Sequence, residues 1–149
     1  MEINKEFIIK MAENLIPLHQ FLGLKVLSLE SGYAKVRVPF KKEVVGDVRN
    51  NRWHGGIIAT IMDSVGGIVG STYGSSTKDK MATIDLRVDY LKAAQDSALI
   101  VEGELVRLGN RIMVVRMRAF SENDENNLIA EGKGVYNFIR MQKKKRPIN

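Results

Sequence analysis

HGGIIATIMDSVGGIVG, residues 54–70, is the stretch whose reading decides the fold. Set at 100° per residue, Ile57, Ile58, Ile61, Met62, Val65, Ile68 and Val69 spread over one broad apolar face. Gly56, Ala59, Thr60, Gly66, Gly67 and Gly70 fall on the other, with Asp63, the segment's one carboxylate, at its centre. A helical glycine costs up to about 1 kcal/mol relative to alanine. Several on one side therefore call for a reason, and close approach of a second backbone or of a ligand is the usual one. The wide apolar face predicts a covering sheet, and the small face a second chain or a substrate. At the start of the helix, N–H groups have no intrahelical acceptor. The Gly55-Gly56 pair leaves them accessible to a carbonyl oxygen or an oxyanion. From the residues alone, Asp63 reads either as part of a solvated face or as a partly buried acid or base.

Outward from this helix the pattern changes. Residues 4–16 place Phe7, Ile8, Met11 and Leu15 at helical spacing, with Asn4 as N-cap and Pro17 as the stop. From Gly23 the period is two, and Ser31-Gly32 splits the run into a hairpin whose second arm has Ala34, Val36, Val38 and Phe40 on one face. Residues 41–53 are polar and turn-rich. Beyond the helix, 81–91, 99–108, 111–121 and 128–140 read as strands, the second and third joined at Gly109-Asn110. In the first of these, alternation sends Ile84, Leu86, Val88 and Tyr90 to the core and Thr83, Asp85, Arg87 and Asp89 to solvent. Strands interrupted by one helix indicate an α+β protein with a mostly antiparallel sheet of about six strands around a central helix at about 54–71. Alternating βαβ units are absent, and Gly55-Gly56 is neither a dinucleotide fingerprint nor a phosphate loop. No repeat or boundary divides the chain, so 1–142 is expected to form one domain, opening with a helical segment at 1–20 and followed by a flexible basic tail at 143–149.

Composition narrows the chemistry. The 149 residues include no cysteine and only two histidines, His19 and His54, far apart in the chain. A thiolate metal site and a cysteine nucleophile are excluded on that basis, and a metal centre would need carboxylates for most of its ligands. Four of the six excess positive charges sit in Lys143, Lys144, Lys145 and Arg146. Such a run reads first as a solvated tail, second as steering for an anionic ligand, and only distantly as a nucleic-acid contact. No apolar run approaches the roughly 20 residues of a membrane span, and MEINKEF has no secretory core, so a soluble cytoplasmic protein is expected.

His54-Gly55-Gly56 with Asp63 nine residues after the histidine resembles the hotdog-fold thioesterases, specifically the PaaI-like group. The likeness continues through ATIDLRVDYL (82–91), VRLGNR (106–111) and IAEGKG (129–134), covering about residues 20–140 in the family's order. It implies hydrolysis of an acyl-coenzyme A thioester, with no metal or separate cofactor, because coenzyme A belongs to the substrate. Asp63 would be the general base or nucleophile. The Gly55 N–H would polarise the thioester carbonyl, with Gly56 lining the approach. His54 would position the thioester or support its loop, and Thr83 would help orient the water. Relatives carry an asparagine six or seven residues before the histidine, where this chain has Val48 and Asp47. Asp47, Asn50 and Asn51 are the candidates for that role. Arg87, Lys92, Arg107 and Arg111 are candidates for the phosphate groups of coenzyme A. The active site of this fold forms between subunits, which implies a homodimer or homotetramer. Two other readings compete with hydrolysis: a non-catalytic acyl-CoA sensor, and an acyl-CoA hydratase or dehydratase on the same fold.

Overall fold

The computed structural model describes residues 4–141. Two short helices, α1 (Lys5–Asn14) and α2 (Pro17–Leu22), precede a hairpin, β1 (Lys25–Glu30) and β2 (Tyr33–Val38). A small ladder, β3 (Val45–Asp47) and β4 (Arg52–Trp53), leads into the long helix α3 (Gly55–Ser71). Four strands follow: β5 (Lys80–Tyr90), β6 (Leu99–Leu108), β7 (Ile112–Ser121) and β8 (Asp124–Ile139). The main sheet is six-stranded and antiparallel, in the order β1-β2-β6-β7-β8-β5. It packs on α3 as in the hotdog arrangement that the sequence resemblance implies. The basic block at 143–146 lies outside the described residues.

Asn4 caps α1 as its sequence predicts, accepting the Glu6 N–H at 3.0 Å. Pro17 ends that helix but also opens α2, at the first-turn position where its missing N–H costs nothing. The core is the apolar face of α3 (Ile58, Ile61, Met62, Val65, Ile68, Val69) against the inward rows of the sheet, including Val36, Val101, Val115 and Met117. Met62, Met113 and Met117 are all core residues. No helix among the described residues is long and apolar enough to cross a membrane.

The expected small-residue face of α3 is divided. Gly66 and Gly70 are buried against the chain's own sheet. A Cβ on Gly66 would stand 1.9 Å from the Tyr136 hydroxyl oxygen, and one on Gly70 2.4 Å from the Met81 sulfur. Packing therefore accounts for these two glycines, and they do not face a second chain.

The simple alternation expected for residues 81–91 also fails, for a local reason. Thr83 pairs with Tyr136 and Asp85 with Val135, so an extra residue, Ile84, bulges from β5. Parity reverses across the bulge. Thr83 therefore shares the helix-facing side with Leu86 and Val88, while Ile84, expected in the core, is 56% exposed. Tyr90, expected in the core too, is exposed at the end of the strand.

Candidate active site

Two groups of candidate residues gather at different points along α3. At its N-terminus, His54 is the N-cap, and its Nδ1 accepts the Gly56 N–H at 2.9 Å. One of the free N–H groups is thereby used internally. Among the described residues, no acceptor meets the Gly55 N–H. The Tyr90 hydroxyl donates to the Gly55 carbonyl oxygen at 2.5 Å, and its ring lies over that glycine. Burial raises the Tyr90 phenol above its ordinary pKa, so it remains a proton donor at neutral pH. An open cleft here is lined by Asp47, Arg52, Gly55, Tyr90 and Lys92, among others.

Asp47 organises the turn that enters this helix. Its carboxylate accepts from the Arg49 N–H (3.1 Å), the Asn50 N–H (3.3 Å) and Asn50 Nδ2 (2.9 Å). The Asn50 side chain, then main-chain N–H groups and Arg52, hold the Asp47 carboxyl below the usual carboxylate range. Asn51 stands in the left-handed region at φ 53° and donates to Asp96 Oδ2 at 3.2 Å. All three loop candidates thus cluster before the helix start.

The second group lies two turns further along α3. Thr83 Oγ1 donates to Asp63 Oδ1 at 2.8 Å across the space between β5 and α3. The bulge at Ile84 makes this contact possible, because it turns Thr83 toward the helix. Tyr136, 2% exposed on β8, donates its hydroxyl to the Asp63 main-chain oxygen at 3.2 Å. Burial, and next the charge of Asp63, push that phenol far above its ordinary pKa, so Tyr136 is a fixed donor. Asp63 and Thr83 line a cleft of about 240 Å³ between α3 and the N-terminal helices. Its far wall comes from α1 and α2, joined by His19, whose Nδ1 bonds the Ala12 carbonyl oxygen at 2.8 Å.

The phosphate-binding candidates scatter. Lys92 lies beside the N-terminal cleft, with its ammonium donating to Asn127 Oδ1. Arg87 pairs with Asp89 at 3.2 Å and lines a depression on the sheet face turned away from α3, in a cross-strand row with Lys133 and Arg116. Arg107 and Arg111 are exposed near the β6–β7 turn, toward the other end of the sheet. Sequence reasoning did not single out Tyr136 or the wall residue Met81. A signal existed for Tyr136 in GKGVY (132–136), where two glycines alternate with an aromatic on one strand face.

One sheet and one helix thus hold a carboxylate at mid-helix, bonded to Thr83, and accessible N–H groups at the helix start. The sequence pattern of the thioesterase superfamily matches residues 50–127. The chain belongs to that superfamily and is a thioesterase-family hydrolase. It is 30% identical over 133 residues to the medium/long-chain acyl-CoA thioesterase YigI of Escherichia coli, covering 81% of this chain and 84% of that one. Among solved structures, a Shewanella oneidensis protein related to the thioesterase superfamily superposes with a TM-score of 0.76 at 28% identity, over 89% of this chain and 93% of the other. A thioesterase family protein of Silicibacter pomeroyi shares the fold with a TM-score of 0.82 at 18% identity, over 93% of this chain and all of the other.

Proposed function

We propose that this protein is a PaaI-like hydrolase that cleaves acyl-coenzyme A thioesters, with Asp63 as the reacting carboxylate. The observation that carries the reading is the Asp63–Thr83 bond at 2.8 Å, in a cleft whose walls mix apolar and polar side chains. A carboxylate so held can take a proton from an attacking water or attack the carbonyl carbon itself. Thr83 fixes its orientation, leaving the second oxygen for chemistry. The thioester carbonyl oxygen would accept the Gly55 N–H, where the helix start stabilises the developing oxyanion.

The spacing of these groups supports a site shared between two copies. Gly55 and Asp63 are eight residues apart, about 12 Å along the helix axis and about 80° around it. They also open into separate clefts. One carbonyl cannot meet both within a chain, so Gly55 of one copy would serve Asp63 of another. β5 is an edge of the six-stranded sheet with Ile84 exposed on it, a surface suited to pairing with its own copy. Lys92, beside the Gly55 cleft, is the candidate cation placed to meet a phosphate of coenzyme A there.

The reading is tested by thiol release from acetyl-, octanoyl-, hexadecanoyl- and phenylacetyl-CoA, with wild type and Asp63→Asn. Turnover of at least one thioester, lost in the variant while binding persists, is the expected result. Equal turnover in wild type and variant would remove Asp63 from the mechanism.

A further inference from the structure

Thr83 and Tyr90 stand seven residues apart on β5. On a regular strand an odd separation puts two side chains on opposite faces. Here both reach α3. Thr83 pairs with Tyr136 and Tyr90 with Ala130, and these two residues of β8 are both buried, on the helix-facing side. The register shift at Ile84, between those two pairs, restores the match. A single bulge therefore lets one strand deliver a side chain to each region of the candidate site: Thr83 to the Asp63 carboxylate, and Tyr90 to the Gly55 peptide. The strand end is held where Tyr90 needs it. The Leu91 and Lys92 N–H groups both donate to the Ile129 carbonyl oxygen, at 2.8 and 3.1 Å.

Thr83 already has a part in the proposed chemistry, and Tyr90 has none. What Tyr90 grips needs gripping. Gly55 and Gly56 are a pair with the freest of backbones, in a first turn whose N–H groups have no helical acceptor. The peptide before Gly55 is held by its own helix: the His54 carbonyl oxygen accepts the Ile57 N–H at 3.0 Å and the Ile58 N–H at 3.3 Å. The peptide after Gly55 is held by side chains at both ends. Its carbonyl oxygen accepts the Tyr90 hydroxyl at 2.5 Å, and its N–H, that of Gly56, donates to His54 Nδ1 at 2.9 Å. Two bonds in line through one peptide strengthen each other. The Tyr90 ring adds a stop, since a Cβ on Gly55 would lie only 3.3 Å from its Cε1. With both flanking peptides fixed, the Gly55 N–H has one direction. An oxyanion donor works by being aimed before the charge develops.

We propose that Tyr90 is a positioning residue of the reaction: it aims the Gly55 N–H by fixing the peptide that follows, and the Ile84 bulge brings it to the helix. This rests on the reading of that N–H as the oxyanion donor, and it names the group that holds the donor in place. The Tyr90 hydroxyl proton is committed to the Gly55 oxygen, so Tyr90 acts through the backbone and not on the substrate.

The test compares wild type, Tyr90→Phe and Tyr90→Leu, each with and without Gly55→Pro, in thiol release from whichever of the four thioesters above wild type cleaves fastest. Tyr90→Phe keeps the ring and deletes the bond. It is expected to lower kcat about three- to tenfold and to leave KM within about twofold. Tyr90→Leu, which loses the ring stop too, should lower kcat further. On the Gly55→Pro background neither should lower kcat more than about twofold, because the donor they aim is already gone. A fall of full size on that background, a change confined to KM, or a lower Tm with kcat unchanged would overturn the proposal. The free protein gives a readout that does not depend on turnover. Hydrogen exchange of the Gly56 amide, followed by NMR, should quicken at least about threefold in Tyr90→Phe while amides later in α3 keep their rates. An unchanged Gly56 rate would overturn the proposal as well. If Gly55→Pro loses turnover and Tyr90→Phe does not, the positioning role falls and the Gly55 donor stands. If Gly55→Pro keeps wild-type turnover, the donor itself falls, and the role of Tyr90 with it.

Discussion

At its start α3 offers main-chain N–H groups, exposed glycines and a histidine that caps its own helix; two turns later it offers one carboxylate clamped by distant side chains. The first region is assembled locally. Asp47, Asn50, His54, Gly55 and Gly56 lie within ten residues, and Tyr90 joins them from 35 residues beyond Gly55. The second is assembled from afar. Thr83 reaches Asp63 from 20 residues away, and Tyr136 from 73. The difference teaches where each half is vulnerable. The helix start can lose a side chain and keep its N–H groups, because the backbone supplies the chemistry. The carboxylate has no such reserve.

The largest effect should therefore come from Asp63→Asn, which keeps the size of the side chain and removes its basicity. Loss of a general base lowers turnover by about 10²–10⁴-fold, measured as thiol release at saturating substrate, with little change in Tm. Next comes Gly55→Pro. Proline is tolerated at the first helical position, and His54 already has the extended backbone that a following proline requires (φ −67°, ψ 127°). The variant loses the N–H and keeps the helix, with Tyr90 yielding a few tenths of an ångström. Removing an oxyanion donor of this kind costs about 10²–10³ in kcat, whereas Gly55→Ala, which retains the N–H, should stay within a few-fold of wild type. Co-expressing Gly55→Pro with Asp63→Asn then separates the two regions by subunit. If each site draws Gly55 from one copy and Asp63 from the other, mixed dimers hold one intact pairing, and roughly a quarter of wild-type turnover returns. If both residues serve a site within one chain, none returns.

Thr83→Val should do less. It preserves shape and deletes one hydrogen bond to a carboxylate, an interaction worth about 1.5–3 kcal/mol, so a decrease of about tenfold or somewhat more in kcat/KM is expected. Tyr136→Phe breaks only the bond to the Asp63 main-chain oxygen. It should lower stability by about 1 kcal/mol, read as a drop in Tm, with the alkaline limb of the pH–rate profile unmoved, because this phenol stays protonated beyond that range.

The same contrast explains what could be read from the sequence. The helix at 54–71 carries its own evidence: apolar periodicity and the accessible glycine pair at its start. The hairpin at 25–38 is equally legible, since Ala34, Val36 and Val38 alternate without interruption and all are buried. Thr83 was not placed by alternation, because a bulge is one extra residue with no compositional mark, and it reverses every side chain beyond it. The small face of α3 was misread in part for a related reason. Helical spacing shows which residues share a side, but it does not show that a ring 70 residues later, on Tyr136, occupies the space over Gly66. The placement of Arg87 on the far side of the sheet, away from both clefts, likewise depends on strand pairing.

The smallest expected effect probes the local region through its turn. Asp47 is partly exposed, and its bonds to Asn50 and to main-chain N–H groups hold its carboxyl below the usual range in the folded protein. The folded state thus binds the carboxylate form more favourably than the unfolded chain does. The stabilisation is present in full above the unfolded value near pH 4 and is lost as the pH falls through the lower, folded one. Asp47→Ala should therefore melt slightly below wild type at neutral pH, and the gap should narrow on acidification below about pH 4. Since the turn only delivers the backbone to Gly55, thiol release should fall by much less than in Gly55→Pro. A loss rivalling that of Asp63→Asn would mean that Asp47 takes part in the chemistry, and that the helix start depends on a side chain after all.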